Sequence, residues 1–175
     1  MKRLALAFFL TGLAAVFLLG CEKDDICPED SATTPLVVIT FHNDNDPGSL
    51  KEVPSLRVIG RDKDKPVETF ADSTYIDSIA IPLKVFANET IYAFTRHTQE
   101  ITDAGDTITV TNADTLTFDY RTEQQFISRA CGFITNYSEL NVIEDQEDEN
   151  RWISYLEVAN PTVENQNTTH VKIFH

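Results

Sequence analysis

The chain has 175 residues, with 14 Lys and Arg against 28 Asp and Glu, a formal charge of −14 at pH 7. Negative charge on that scale repels phosphate backbones and anionic headgroups, which argues against a nucleic-acid partner and against membrane binding through a basic face. The length suits a single domain with a sizeable core, even after loss of an N-terminal export segment.

Lys2 and Arg3 precede Leu4–Leu19, a run broken only by Thr11 and Gly12. A basic start, a short apolar run and small residues at its end make a secretory signal over residues 1–20. A membrane-spanning helix needs about 20 apolar residues, and here acidic residues begin at Glu22. Leu18-Leu19-Gly20-Cys21 resembles the lipobox of bacterial lipoproteins. That resemblance implies acylation of the Cys21 thiol, which becomes the first residue of the mature chain. Each buried lipid CH₂ contributes about 0.8 kcal/mol, so several acyl chains anchor the protein firmly. Loss of Lys2 and Arg3 takes the formal charge from −14 to −16.

Glu22-Lys23-Asp24-Asp25 resembles the surface-export signal of Bacteroidetes lipoproteins, which implies the outer face of the outer membrane. An ordinary acidic tether, facing the periplasm, reads the same residues another way.

Residues 21–34 form the acylated start and a polar tether; residues 35–175 form the folded domain. With Cys21 acylated, Cys27 and Cys131 can pair in only one way, and an oxidising compartment favours the bridge. Two unpaired thiols are the alternative. The ring would span about a hundred residues, for which chain entropy gives at most ~4.7 kcal/mol. It would also leave only Glu22–Ile26 as free leash, about 18 Å fully extended.

Short segments rich in Val, Ile, Thr, Phe and Tyr then alternate with turn chemistry. Strands are expected at 36–42, 56–60, 75–83, 90–96, 106–110, 115–120, 125–137, 152–159 and 170–175. Alternation is clearest in Thr115–Tyr120, where Leu116, Phe118 and Tyr120 share one face. LVVITF is continuous, as in a strand covered on both sides. No segment keeps a helical period. The expected fold is all-β: a single antiparallel two-sheet sandwich, Ig-like or related, with a barrel as the lesser option. Ile127, Arg129, Cys131 and Phe133 share a parity, so an inward Cys131 requires Arg129 to snorkel, pair with an acid or be turned out.

The CEKDDICPED head, TPLVVITF, LRVIG, DSIAIPL, DTLTFDY, SRACGF and the HVKIFH end together resemble a family of small Bacteroidetes lipoproteins known only as a domain of unknown function. The resemblance covers nearly the whole mature chain and implies location and fold, but no activity.

Chemical motifs are sparse. There is no G-x-S-x-G elbow. His42, His97, His170 and His175 lack metal-ligand spacing and read as lone surface histidines. Asp44-Asn45-Asp46-Pro47-Gly48 has its glycine one place early for a calcium loop and reads as a connection between strands. Glu144–Glu149 reads as a solvated hairpin tip. No catalytic residue, metal or cofactor is nominated.

Asp, then Ser or Thr, then Ala, Ile, Leu or Thr occurs at 30–32, 72–74, 77–79, 106–108 and 114–116. The pattern resembles the O-glycosylation signal of exported Bacteroidetes proteins, implying sugars on Ser31, Ser73, Ser78, Thr107 and Thr115. Strand starts of the form turn-Asp, outward Thr, inward aliphatic account for the same residues. The functional expectation is a membrane-anchored binding or accessory module contacting a glycan, a protein or another envelope component. A carboxylate-dependent hydrolase acting on glycans and a structural envelope subunit are the alternatives.

Overall fold

The computed structural model describes residues 26–145 and 150–175. The export segment, Cys21, Glu22–Asp25 and residues 146–149 of the acidic run lie outside the described residues. Contacts divide the chain into two units. One comprises residues 26–32 and 126–133 of the described chain; the other takes in 33–125 and the described residues from 134 onward.

The larger unit is all-β. Its strands are β1 (Val37–Asn43), β2 (Asp46–Leu50), β3 (Val53–Gly60), β4 (Thr74–Ile76), β5 (Ser78–Ile81), β6 (Glu89–Ile101), β7 (Thr107–Ser128), β8 (Gly132–Glu144), β9 (Tyr155–Val158) and β10 (Val171–Phe174). The ends of β7 and β8 run into the smaller unit. One sheet has the order β2-β1-β10-β9, with β5 also paired to β1; the other has the order β4-β3-β6-β7-β8. No helix occurs among the described residues.

The expected antiparallel pairing needs one correction. β1 and β10 run parallel, with Ile39 opposite Val171 and Phe41 opposite Ile173. Side chains alternate along β1, and Val37, Ile39 and Phe41 are fully buried while Val38 and Thr40 are half-buried. The continuous apolar run therefore packs one face tightly, not two. Val58, Phe94, Leu116 and Phe118 from the second sheet join these residues in one hydrophobic cluster. Alternate burial along both sheets reflects the two-residue period of the pleat.

Three other expectations change. Residues 111–114, read as a turn, continue β7, which pairs with β6 from Glu89–Asp119 out to Ile101–Thr107. The hairpin turns at Thr102–Asp106, where turn chemistry was expected; Gly105 takes φ 88° there and its N–H donates to the Thr102 carbonyl. Residues 46–48 belong to β2 and not to an open loop. The expected strand 75–83 breaks at Asp77, whose carbonyl accepts from Phe41 N–H at 2.8 Å.

In the smaller unit, Cys27 and Cys131 form a disulfide, with Cα atoms 4.8 Å apart. The expected strand 125–137 is interrupted here by a turn at residues 129–131, which turns Arg129 out to solvent. Phe133, expected to face inward with Cys131, is exposed. The turn explains both, because it resets the side-chain alternation between β7 and β8.

Candidate functional site

A groove of about 490 Å³ is lined by residues of 60–68, Pro82, Lys84 and 90–92. Its volume falls in the range of small-ligand sites. The floor forms where β3 ends. Arg61 N–H donates to the Ile91 carbonyl at 2.8 Å, and Lys63 N–H to the Gly60 carbonyl at 3.0 Å. Asp62 takes φ 63° in this turn, and Val67 N–H returns the chain to β3 by donating to the Val58 carbonyl. A Cβ on Gly60 would make ordinary contact with this edge, 3.4 Å from Lys63 Cγ and 3.5 Å from Tyr92 Cε1.

A hydroxyl network fixes the opposite wall. Tyr92 donates to the Pro82 carbonyl at 2.5 Å, and Tyr120 to the Lys84 carbonyl at 2.9 Å. Thr90 Oγ1 accepts from Lys84 N–H at 2.9 Å and lies 2.6 Å from the Tyr120 hydroxyl, to which it donates. Burial pushes the Tyr92 phenol up to about 12, with Tyr120 and Tyr137 adding to the shift, and burial also raises Tyr120. Both phenols stay neutral, as donors to carbonyls must. Pro66, Val67, Pro82, Ile91 and Tyr92 give the groove its apolar surface.

The rim inverts the charge balance of the protein. Arg61, Lys63, Lys65 and Lys84 line it against only Asp64 and Glu68, in a chain with twice as many acids as bases. None of these four cations is ion-paired to another described residue. An apolar trough lined by exposed cations that pair with no other described residue is suited to holding an anion with an apolar body. It offers no nucleophile paired with a base.

Carboxylates gather elsewhere. Asp114 is 1% exposed, and its Oδ2 accepts from Trp152 N–H at 2.9 Å and Ile153 N–H at 2.8 Å. Glu144 is 7% exposed and pairs with Arg151 at 3.0 Å. Burial raises the Glu144 pKa, Arg151 opposes that rise, and the Asp114 charge adds to it. Trp152 Nε1 donates to the Phe94 carbonyl at 2.9 Å, and Arg96 lies 5.4 Å over the indole ring. Glu144 is thus a buried anchor, which corrects its reading as part of a solvated tip. Asp114 stands in for a strand carbonyl and caps two buried N–H groups.

The histidine reading also changes. His170 and His175 are buried, not surface residues. His170 Nδ1 accepts from Val38 N–H at 3.0 Å, and burial lowers the pKa of both rings. His42 bridges Thr40 and Pro47, and His97 lies 2.9 Å from Thr111 Oγ1. No group of three metal-ligating side chains occurs among the described residues.

Of the five hydroxyls expected to carry sugars, Ser73 and Thr107 are exposed, while Ser31, Ser78 and Thr115 are half-buried. Ser31 Oγ sits 3.4 Å from Cys131 Sγ beside the bridge. None of the five lines the groove. The groove residues were missed in the sequence because GRDKDKP reads as turn chemistry. Its signal was three cations within five residues of an acidic chain.

The chain belongs to DUF6452, a family of unknown function whose model matches residues 55–175. No curated protein and no solved structure matches it. The matched span contains every groove residue, Asp114, Glu144 and Cys131, whereas Cys27 and β1 precede it. Membership in DUF6452 agrees with the expected resemblance to a domain of unknown function, and the family supplies no activity to test against the groove.

Proposed function

We propose that this protein is an exported lipoprotein of a Bacteroidetes cell envelope, held by acyl chains on Cys21, whose β-sandwich serves as a binding module for a small acidic amphiphile. The basic-rimmed apolar groove carries the reading. The apolar part of the ligand rests on Val67, Ile91 and Tyr92, and its acid group meets Arg61, Lys63, Lys65 and Lys84. Charge complementarity against an otherwise acidic surface selects anions locally and repels them elsewhere. The hydroxyl network holds the walls in place before binding, which lowers the ordering cost of association. The outer membrane, with the domain facing out, is the location that the tether residues support; sugars on Ser73 and Thr107, the exposed pair, belong to the same proposal.

Hydrolysis by a carboxylate pair is the second reading, and Glu144 with its raised pKa beside Asp114 is what favours it. The bonds from Asp114 to two backbone N–H groups assign that pair to structure instead.

The test uses an anilinonaphthalene sulfonate as an anionic probe and an uncharged anilinonaphthalene as its control. The wild-type chain should bind the sulfonate more tightly than the neutral compound. Lys63→Glu/Lys65→Glu should weaken sulfonate binding at least tenfold and leave the neutral compound unchanged. Equal binding of both probes, or an unchanged sulfonate affinity in the double variant, would remove the groove as the functional site.

A further inference from the structure

The smaller unit carries an apolar surface that the groove does not explain. Phe126, at the end of β7, is 55% exposed, and Phe133, at the start of β8, is 64% exposed. Their rings pair edge to face at 5.2 Å, so the two side chains form one patch. Ile26, next to the bridge, is 80% exposed. The Cys27–Cys131 disulfide ties the segment bearing Ile26 to the turn between the two phenylalanines. The Cys131 N–H donates to Ser128 Oγ at 3.0 Å, closing that turn. Exposed aromatics held on a cross-linked turn expose apolar area without the freedom to fold it away, and such area marks an interaction surface.

The chain itself indicates what covers it. Five residues, Glu22–Ile26, separate Cys21 from Cys27, about 18 Å at full extension. Resting on the proposed acylation of Cys21, we infer that the Phe126–Phe133 tip seats in the membrane that holds the acyl chains, as a second contact beside the lipid. With its N-terminal side disulfide-bonded, the tip cannot stand further from the acylated cysteine than that leash allows. The phenylalanines enter the boundary between headgroups and acyl chains, the depth that amphipathic surface segments reach. Among the described residues of this unit Arg129 is the one cation, against Glu29 and Asp30. The contact is therefore apolar in origin and does not require an anionic bilayer, in agreement with the acidity of the whole chain.

Two signals together anchor more firmly than either alone, since lipid chains and a small apolar patch add their buried areas. The patch also confines rotation about the tether, because a disulfide-closed turn in the interface fixes a second point.

The experiment uses the full acylated chain reconstituted in phosphatidylcholine vesicles, with and without lipids brominated on their acyl chains. Phe133→Trp adds a reporter to a protein whose single native tryptophan, Trp152, is buried and gives the baseline. The new tryptophan should emit to the blue of an aqueous indole, and brominated lipid should quench it by half or more, while the wild-type signal barely changes. Intact mass on the same sample reports the acyl chains. Acylated protein whose new tryptophan is unquenched overturns the tip contact alone, including the case of a blue shift without quenching, which would signal a protein contact. A bare Cys21 thiol overturns the anchor reading and the tip contact with it.

Discussion

Replacing Asp114 with Ala tests the claim that a buried carboxylate holds the β7 strand to the segment at residues 152–153. The substitution removes the acceptor of Trp152 N–H and Ile153 N–H, bonds of 2.9 and 2.8 Å. A buried donor left without a partner costs about 1–3 kcal/mol, and bonds to a charged acceptor lie at the strong end. Two such losses would total about 2–6 kcal/mol. Part of this is returned, because the Asp114 charge raises the Glu144 pKa and its removal relieves that pressure. A net loss of about 2–4 kcal/mol is expected, a large share of the roughly 5–15 kcal/mol by which domains are stable. Asp114→Asn keeps an oxygen acceptor and should cost less than half as much. Urea unfolding followed by the emission of Trp152, the sole tryptophan, measures both. If Asp114→Ala loses under about 1 kcal/mol, or if Asn costs as much as Ala, the carboxylate is not acting as the acceptor described here.

Further outcomes follow from the bridge, the buried titratable groups and the indole. Cys27→Ala/Cys131→Ala should lower stability by about 2–5 kcal/mol in urea, given the sequence separation of 104 that the bridge closes; equal stability of the wild type with and without reductant would contradict the bridge's role. His170 and His175 have pKa values lowered by burial, so their contribution is complete above about 6.5 and is lost as pH falls through the folded values. Glu144 has the opposite sign: its pKa is raised, so its share is fullest below about 4.5 and is lost as pH rises through the folded value. His170→Gln should therefore flatten the fall in stability between pH 7 and 5, and a wild-type profile level across that range would refute the assignment. Trp152→Phe should cost about 1–3 kcal/mol through the lost bond to the Phe94 carbonyl and the weaker stacking under Arg96; a urea midpoint unchanged by far-ultraviolet circular dichroism would show that neither contact matters.

The secondary-structure class and several strands were legible because they follow from local pattern. Leu116, Phe118 and Tyr120 alternate along one strand and are all buried, as their spacing requires. The pairing of Cys27 with Cys131 was also accessible, because reading Cys21 as acylated leaves two thiols. Residues 111–114 look like a turn when read alone. They form strand because thirteen pairs with β6 outweigh local preference and the Asp114 carboxyl finds long-range donors.

Composition and order alone determined that this is an acidic, strand-forming chain with an export-like start and three cysteines. The tertiary structure decided which polar residues would be buried and which cations would meet. His170 and His175 have side chains that normally seek water, and partners distant in sequence, Val38 and Lys51, offset their burial. Arg61, Lys63 and Lys65 line one groove with Lys84 because the Tyr92, Tyr120 and Thr90 hydroxyls pin the 82–84 segment there. Alternation is a property of neighbours along the chain, whereas burial and convergence depend on which distant segments the core brings together.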